Sequence, residues 1–438
     1  MNSTELYAWM TGGYAGLLPP VIHALVLPAL LMFAACGHSA RVAQENHTLQ
    51  DFFAVDGITP IGFEMNTPID AYVHATQRYT YVTPRTSASI DTLTLYRISH
   101  ATNAIDSLYL PMPADSLLNR RGTLKDFAVD DERICLLFWR ALVIYERDHA
   151  TGTPVRSSVV GLRYPYSTLR LFGDSCIISI SSLANREYSS EYTWATAIDL
   201  SSGANLWERS LPDPDGVQFT SFIPRRVIDC SRDEIAVADV VRYRIRLYNH
   251  QGETITSLER QPRAWSAISD TGYRNYLPPT GPVPFNPKAQ LDSLRPYIAS
   301  ASMIRLIDFI NDTTLMVAWQ STEQYDRGIL KDRSIIFFDI WRKFGGAWDL
   351  LAGDVRDFNP MPADTFPTPG MLDWSYSCTG AGSSYIYKLT PLPPIPLEKR
   401  TFAEISSALE EYLMEHDLRF SLIRFRARDE LGEPEAME

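Results

Sequence analysis

Five aspartates recur in similar, mainly apolar settings: Ile69-Asp70-Ala71, Lys125-Asp126-Phe127, Ile228-Asp229-Cys230, Ile307-Asp308-Phe309 and Leu372-Asp373-Trp374. The comparable place between the second and the third of these holds Arg170. Carboxylates converging from several strands are hard oxygen donors and could hold Ca²⁺ or another divalent cation, which would polarise a carbonyl for hydrolysis. In that role Asp126, Asp229, Asp308 and Asp373 are the metal ligands. A buried carboxylate must find a partner in any case, so the same residues could instead bond the backbone of neighbouring sheets. The structural role is preferred.

No other constellation suggests a catalyst. The eight histidines include no i, i+4 pair and no HExxH, and the GxSxG, GxGxxG and P-loop signatures are absent. Cys135, Cys176, Cys230 and Cys378 show no CxxC spacing, which argues against a zinc site. The first three lie in apolar runs, where a thiol behaves as a small hydrophobe. Trp194, Trp207, Trp265, Trp319, Trp341, Trp348 and Trp374 offer stacking faces for a sugar, or anchors between sheets.

The elements that would carry these residues are short strands. The chain has 438 residues with 45% hydrophobic and 21% charged content, which excludes disordered, collagen-like and coiled-coil classes. Its net charge of −12 gives no attraction for phosphate backbones, so no nucleic-acid partner is expected. Asp229 to Leu258 reads as a turn and three strands, Glu234–Ala238, Tyr243–Tyr248 and Glu253–Leu258. Tyr248, at the end of the third strand of its unit, has apolar counterparts in Tyr96, Tyr145, Ile198, Phe338 and Tyr387. These anchors recur about every 50 residues, with one interval of about 90, giving six units. Turn residues follow the first five anchors at Asn103, Gly152, Gly203, Gly252 and Gly345, and a second turn recurs at Asp131, Asp174, Asp233 and Asp312. Six four-stranded antiparallel sheets of this size, none able to bury its faces alone, predict an all-β, six-bladed β-propeller.

Asp239 and Arg244, followed by Leu247-Tyr248 and Gly252, resemble the NHL-type repeat, and Phe127 to Ile134 is similar to the inner hairpin of that repeat. With the N-terminus described next, residues 50–395 resemble six-bladed propeller lipoproteins common in Bacteroidota. The resemblance implies a propeller and leaves function open, since propellers bind, scaffold and catalyse. A carboxylate-lined channel is similar to that of metal-dependent lactonases and gluconolactonases. That pattern also wants a Glu and an Asn in particular blades, and no such pairing is discernible.

Residues 21–35 form an apolar stretch too short for a membrane span and suited to an export signal. Its end, Phe33-Ala34-Ala35-Cys36-Gly37, resembles a bacterial lipobox, which implies cleavage before Cys36 and lipidation of that thiol. No Lys or Arg precedes the stretch, and Phe33 stands where leucine is usual. The domains expected are a signal peptide over 1–35, a polar tether over 36–50 and the propeller over 51–398. A C-terminal helical extension over 399–438 follows, with Thr401 and Glu404 as a capping box. Gly37 in place of aspartate favours the outer membrane as the anchoring sheet.

Pro391 to Pro396 cannot supply ladder donors, so the sixth blade needs a strand from elsewhere. The N-terminal segment, as Phe52–Val55 or Ile58–Phe63, and the C-terminal segment compete for that place. Between the fourth and fifth units lies an insertion at about 260–300, with Trp265, Tyr273, Tyr276 and Phe285 as binding-loop candidates. The function expected is a lipid-anchored, non-enzymatic binding module of the cell envelope with an envelope protein or glycan as partner. A lactonase-like hydrolase using a divalent cation and a carbohydrate-binding propeller are the alternatives.

Overall fold

In the computed structural model, the described residues are 47–61, 71–76, 78–84, 92–113, 124–138, 140–148, 153–162, 166–180, 193–210, 228–239, 242–267, 301–324, 334–356, 376–378, 385–390, 420–428 and 431. The signal and lipobox segment, Asp70, Asp373, Tyr273, Tyr276, Phe285 and the helix expected after Thr401 lie outside them.

Period-2 patterning builds the sheets. In Arg244–Tyr248, Ile245 and Leu247 are buried while Arg244, Arg246 and Tyr248 are half-buried. Burial fades outward: Met303–Asn311, an inner strand, is buried at almost every position, whereas Thr254–Glu259, an outer one, buries only Leu258. Six four-stranded antiparallel sheets result. Each inner strand touches the next, and the sixth touches the first, so the sheets form a closed ring. The buried apolar residues of facing blades merge into shared cores.

Both chain ends close the ring. The sixth blade runs Tyr376–Cys378, Tyr385–Thr390, Phe420–Ala427 and Phe53–Ile61 from inside outward. Phe53 pairs with Ala427 and Ile61 with Phe420. The two segments expected to compete thus both serve, one as outer strand and one as third strand. Two sequence assignments change with this. Tyr387 lies in the second strand of its blade rather than the third, and Phe420–Ala427 belongs to the propeller rather than to a helical extension. Leu422, Ile423 and Phe425 are all buried because this strand is covered on both faces, which erases the alternation that marks a strand. The end of the expected tether is also part of the ring. Leu49 and Phe52, in a single helical turn Leu49–Phe52, pack on blade five, and the Arg356 N–H donates to the His47 carbonyl at 2.9 Å.

In this topology the first hairpin of each blade, and the third hairpin of blades one to five, open on one face of the ring. Among the described turns there, two pairs interlock: Arg133 pairs with Asp174 at 2.8 Å, and the Arg232 N–H donates to Asp312 Oδ1 at 2.9 Å. The strand ends that flank the longer connections 181–192, 211–227, 260–302, 357–375 and 391–419 lie on the opposite face.

Candidate functional site

The inner strands bring three of the four proposed metal ligands to the channel wall, with Arg170 between two of them. Asp126 begins the inner strand Asp126–Val129 of blade two, and Arg170 lies in Tyr166–Phe172 of blade three. Asp229 sits in Ile228–Cys230 of blade four and Asp308 in Met303–Asn311 of blade five. Arg170 Nε donates to Asp229 Oδ1 at 3.0 Å and its Nη1 to Asp126 Oδ2 at 3.1 Å. Each of these carboxylates also bonds the next blade's backbone. Leu169 N donates to Asp126 Oδ2 at 3.0 Å, and Phe309 N donates to Asp229 Oδ2 at 2.7 Å.

Burial works against the Arg170 charge, but Asp126, Asp229 and Asp308 outweigh it and push the guanidinium's pKa upward. Burial pushes Asp229 up to about 6, while Arg170 and the Phe309 N–H pull it back toward the ionised form. Chemically, this is a guanidinium held by carboxylates of the two flanking blades. A divalent cation would need those oxygens turned toward itself, and here they are committed to N–H donors. Among the described residues no group of three His, Cys, Asp or Glu side chains is placed to hold a metal ion.

The root of the insertion is the second well-defined feature. Arg260 grips Asp339 through Nε and Nη2, both at 2.7 Å, and Asp354 through Nη2 at 2.5 Å. Trp265 meets Tyr243 edge-on with centroids 5.6 Å apart and Trp319 at 5.8 Å. The Ser302 N–H donates to the Ser266 carbonyl and the Ser266 N–H to Ser302 Oγ, both at 2.9 Å. Trp265, a binding-loop candidate, is therefore part of the foot of the insertion. Other tryptophans also bridge blades: Trp341 Nε1 donates to the Tyr243 hydroxyl at 3.2 Å and Trp348 Nε1 to Glu234 at 3.0 Å. Sequence reasoning missed the Arg260–Asp339 pair. Its one visible signal is a lone acid, Asp339, inside the apolar run Ile335 to Trp341.

Cys135, Cys176 and Cys230 are buried free thiols, as their apolar settings predicted. Burial pushes Cys176 up to about 12 and the other two well above the usual thiol range. Among the described residues no helix is long and apolar enough to cross a membrane.

Fold and channel together define a six-bladed β-propeller closed by both chain ends. No family model matches the chain, and no curated protein matches it. Among solved structures it is similar to a Bacteroides fragilis protein named as exported, with a TM-score of 0.51 and 9% identity over 88% of this chain and 98% of that one. It is also similar to a member of the DUF4221 family from Bacteroides vulgatus, with a TM-score of 0.46 and 8% identity over 86% and 98% of the two chains. The first likeness is one of fold.

Proposed function

We propose that this chain is an exported, lipid-anchored propeller of the bacterial envelope that works as a non-enzymatic binding module. The observation that carries the reading is the unequal treatment of the two faces and the channel. Two channel carboxylates are engaged by Arg170 and by backbone N–H groups, and on one face neighbouring turns are tied to each other through Arg133–Asp174 and Arg232–Asp312. The strand ends at the other face flank the long connections, and long connections are the usual place for recognition on a rigid scaffold. Cys36 is the lipidation site, and two or three acyl chains there would hold the protein firmly on the outer membrane. The export implied by residues 21–35 agrees with the name of the Bacteroides fragilis protein of similar fold. The resemblance to the NHL-type repeat is supported by Asp239 standing opposite Arg244 in blade four and by the positive φ of Gly252 before the outer strand.

The test joins labelling and crosslinking in cells. A fatty-acid label should enter the wild type and not Cys36→Ala. Envelope crosslinks to a specific protein or glycan should disappear when residues 268–300 are replaced by a short linker. Unlabelled wild type would remove the anchor, and crosslinks that survive the replacement would remove the insertion as recognition element.

A further inference from the structure

The seam at which the ring closes, between blades one and six, holds the His100 imidazole, which touches both sides. His100 lies in the hairpin between the third and outer strands of blade one. Its Nε2 is 2.9 Å from the hydroxyl of Thr80, in the second strand of blade one. The same atom is 2.9 Å from the hydroxyl of Tyr387, in the second strand of blade six. Its ring lies 5.3 Å from that of Tyr385, its carbonyl accepts Arg424 Nη2 at 3.1 Å, and its N–H donates to the Arg78 carbonyl at 3.0 Å. Four elements therefore meet on one residue.

The proton count at this point is decisive. Thr80 and Tyr387 are each 1% exposed, so their hydroxyl protons need acceptors inside the protein. In the neutral tautomer of His100 that carries its proton on Nδ1, the Nε2 lone pair is an acceptor that brings no proton of its own, and both hydroxyls can be satisfied. Protonation converts that acceptor into a third donor. Among the hydroxyl and imidazole groups described at this point, three protons then share two hydroxyl oxygens, one fewer acceptor than the donors need. The new charge also faces Arg424, whose Nε is already paired with Asp56 at 2.6 Å and whose guanidinium lies over the Tyr385 ring. Burial pushes the Tyr387 phenol up, so it keeps its proton at these pH values, and Arg78 meets His100 through its carbonyl.

We propose that His100 is an acid-sensitive latch on the propeller: protonating it loosens the contact between blades one and six, where strands from the two chain ends complete the ring. The sign follows from linkage. The unfolded or opened chain binds the proton more readily than the closed ring, so closure weakens as pH falls through the ordinary histidine range, about 6.5.

Thermal and denaturant unfolding from about pH 7.5 to about pH 5 test this. The wild type should lose up to about tenfold in folding equilibrium constant per pH unit below the histidine range. His100→Gln keeps an acceptor at this place and cannot take the proton, so that slope should flatten. His250→Gln, at an imidazole stacked 4.0 Å from Phe172 on another blade, should keep the wild-type slope. Parallel profiles for wild type and His100→Gln, or a slope that follows His250, overturn the latch. Should His100→Gln fail to fold, amide exchange of the wild type at both pH values decides. Acceleration confined to Phe53–Ile61 and Phe420–Ala427 supports the latch, and uniform acceleration through six blades overturns it.

Discussion

Arg170 of the third blade and Asp229 of the fourth are joined Nε to Oδ1 at 3.0 Å, and the second oxygen of that carboxylate receives the Phe309 N–H of the fifth blade at 2.7 Å. Three inner strands are thereby coupled by two side chains. Removing the guanidinium leaves Asp126 and Asp229 without their shared cation, with side chains only 16% and 4% exposed. Arg170→Ala should cost about 3–5 kcal/mol, the usual effect of breaking a buried pair from one side. Arg170→Met with Asp229→Asn should cost less than the sum of the two single changes. Denaturant midpoints measure both.

The same engagement predicts that the channel takes up no divalent cation. Calorimetric titration of the wild type with Ca²⁺ and with Mn²⁺ should give only dilution heats, because two of the carboxylates already bond N–H donors. Stoichiometric uptake that vanishes in Asp308→Ala would instead restore the hydrolase alternative.

Turn chemistry supplies a paired prediction. Gly252 has φ +70°, and a Cβ there would lie 3.0 Å from side-chain atoms of Trp207 and Arg209 on the neighbouring blade. Gly345 has φ +55° and open space around it. Gly345→Ala should therefore cost about 1 kcal/mol, the strain of the left-handed region alone. Gly252→Ala should cost about 1–3 kcal/mol more, since the hairpin must also back away from blade three. Equal losses for the two variants would mean that the contact with blade three is soft.

Buried thiols make the protein sensitive to alkali. Burial pushes Cys176 up to about 12, so the folded state keeps a proton that an unfolded thiol loses at about 8.5. Stability from this group is intact below the unfolded value and declines as pH rises toward about 12. Native protein at about pH 8 should leave Cys135, Cys176 and Cys230 unreactive toward a disulfide reagent, and denaturant should expose them. Rapid native labelling of any of the three would contradict their placement.

Much of this fold was legible in the chain because its repeats are built from local signals. Tyr96, Tyr145, Ile198, Tyr248 and Phe338 do mark third strands, and glycine or asparagine follows four of them with positive φ at Asn103, Gly203, Gly252 and Gly345. The sixth blade broke the rule for a physical reason. Its strands come from three distant stretches, so neither the period nor the order of turns survives there, and Tyr387 fell one strand early. The channel aspartates were visible as a repeat, but their partners were not. No local pattern connects Arg170 to Asp229 or Arg260 to Asp339, because only the packing of one blade on the next brings those positions together. The seam at His100 was invisible for the same reason, joining residues 287 positions apart.

The insertion yields the last prediction. Its two feet are already stitched by the reciprocal bonds of Ser266 and Ser302, while Arg260 is locked to Asp339 and Asp354 on blade five. A chain that leaves and returns through a hydrogen-bonded base adds little closure entropy to the ring when shortened. Replacing residues 268–300 by a short glycine linker should therefore keep the melting temperature within a few degrees. A cut at 262–296 would remove Trp265 and Ser266 as well, together with the packing on Tyr243 and Trp319. That variant should melt several degrees lower, on the order of 2–4 °C for each kcal/mol lost in a domain of this size or somewhat less. If the shorter excision destabilises as much as the longer one, the ring leans on the insertion itself, and residues 268–300 are scaffold rather than recognition surface.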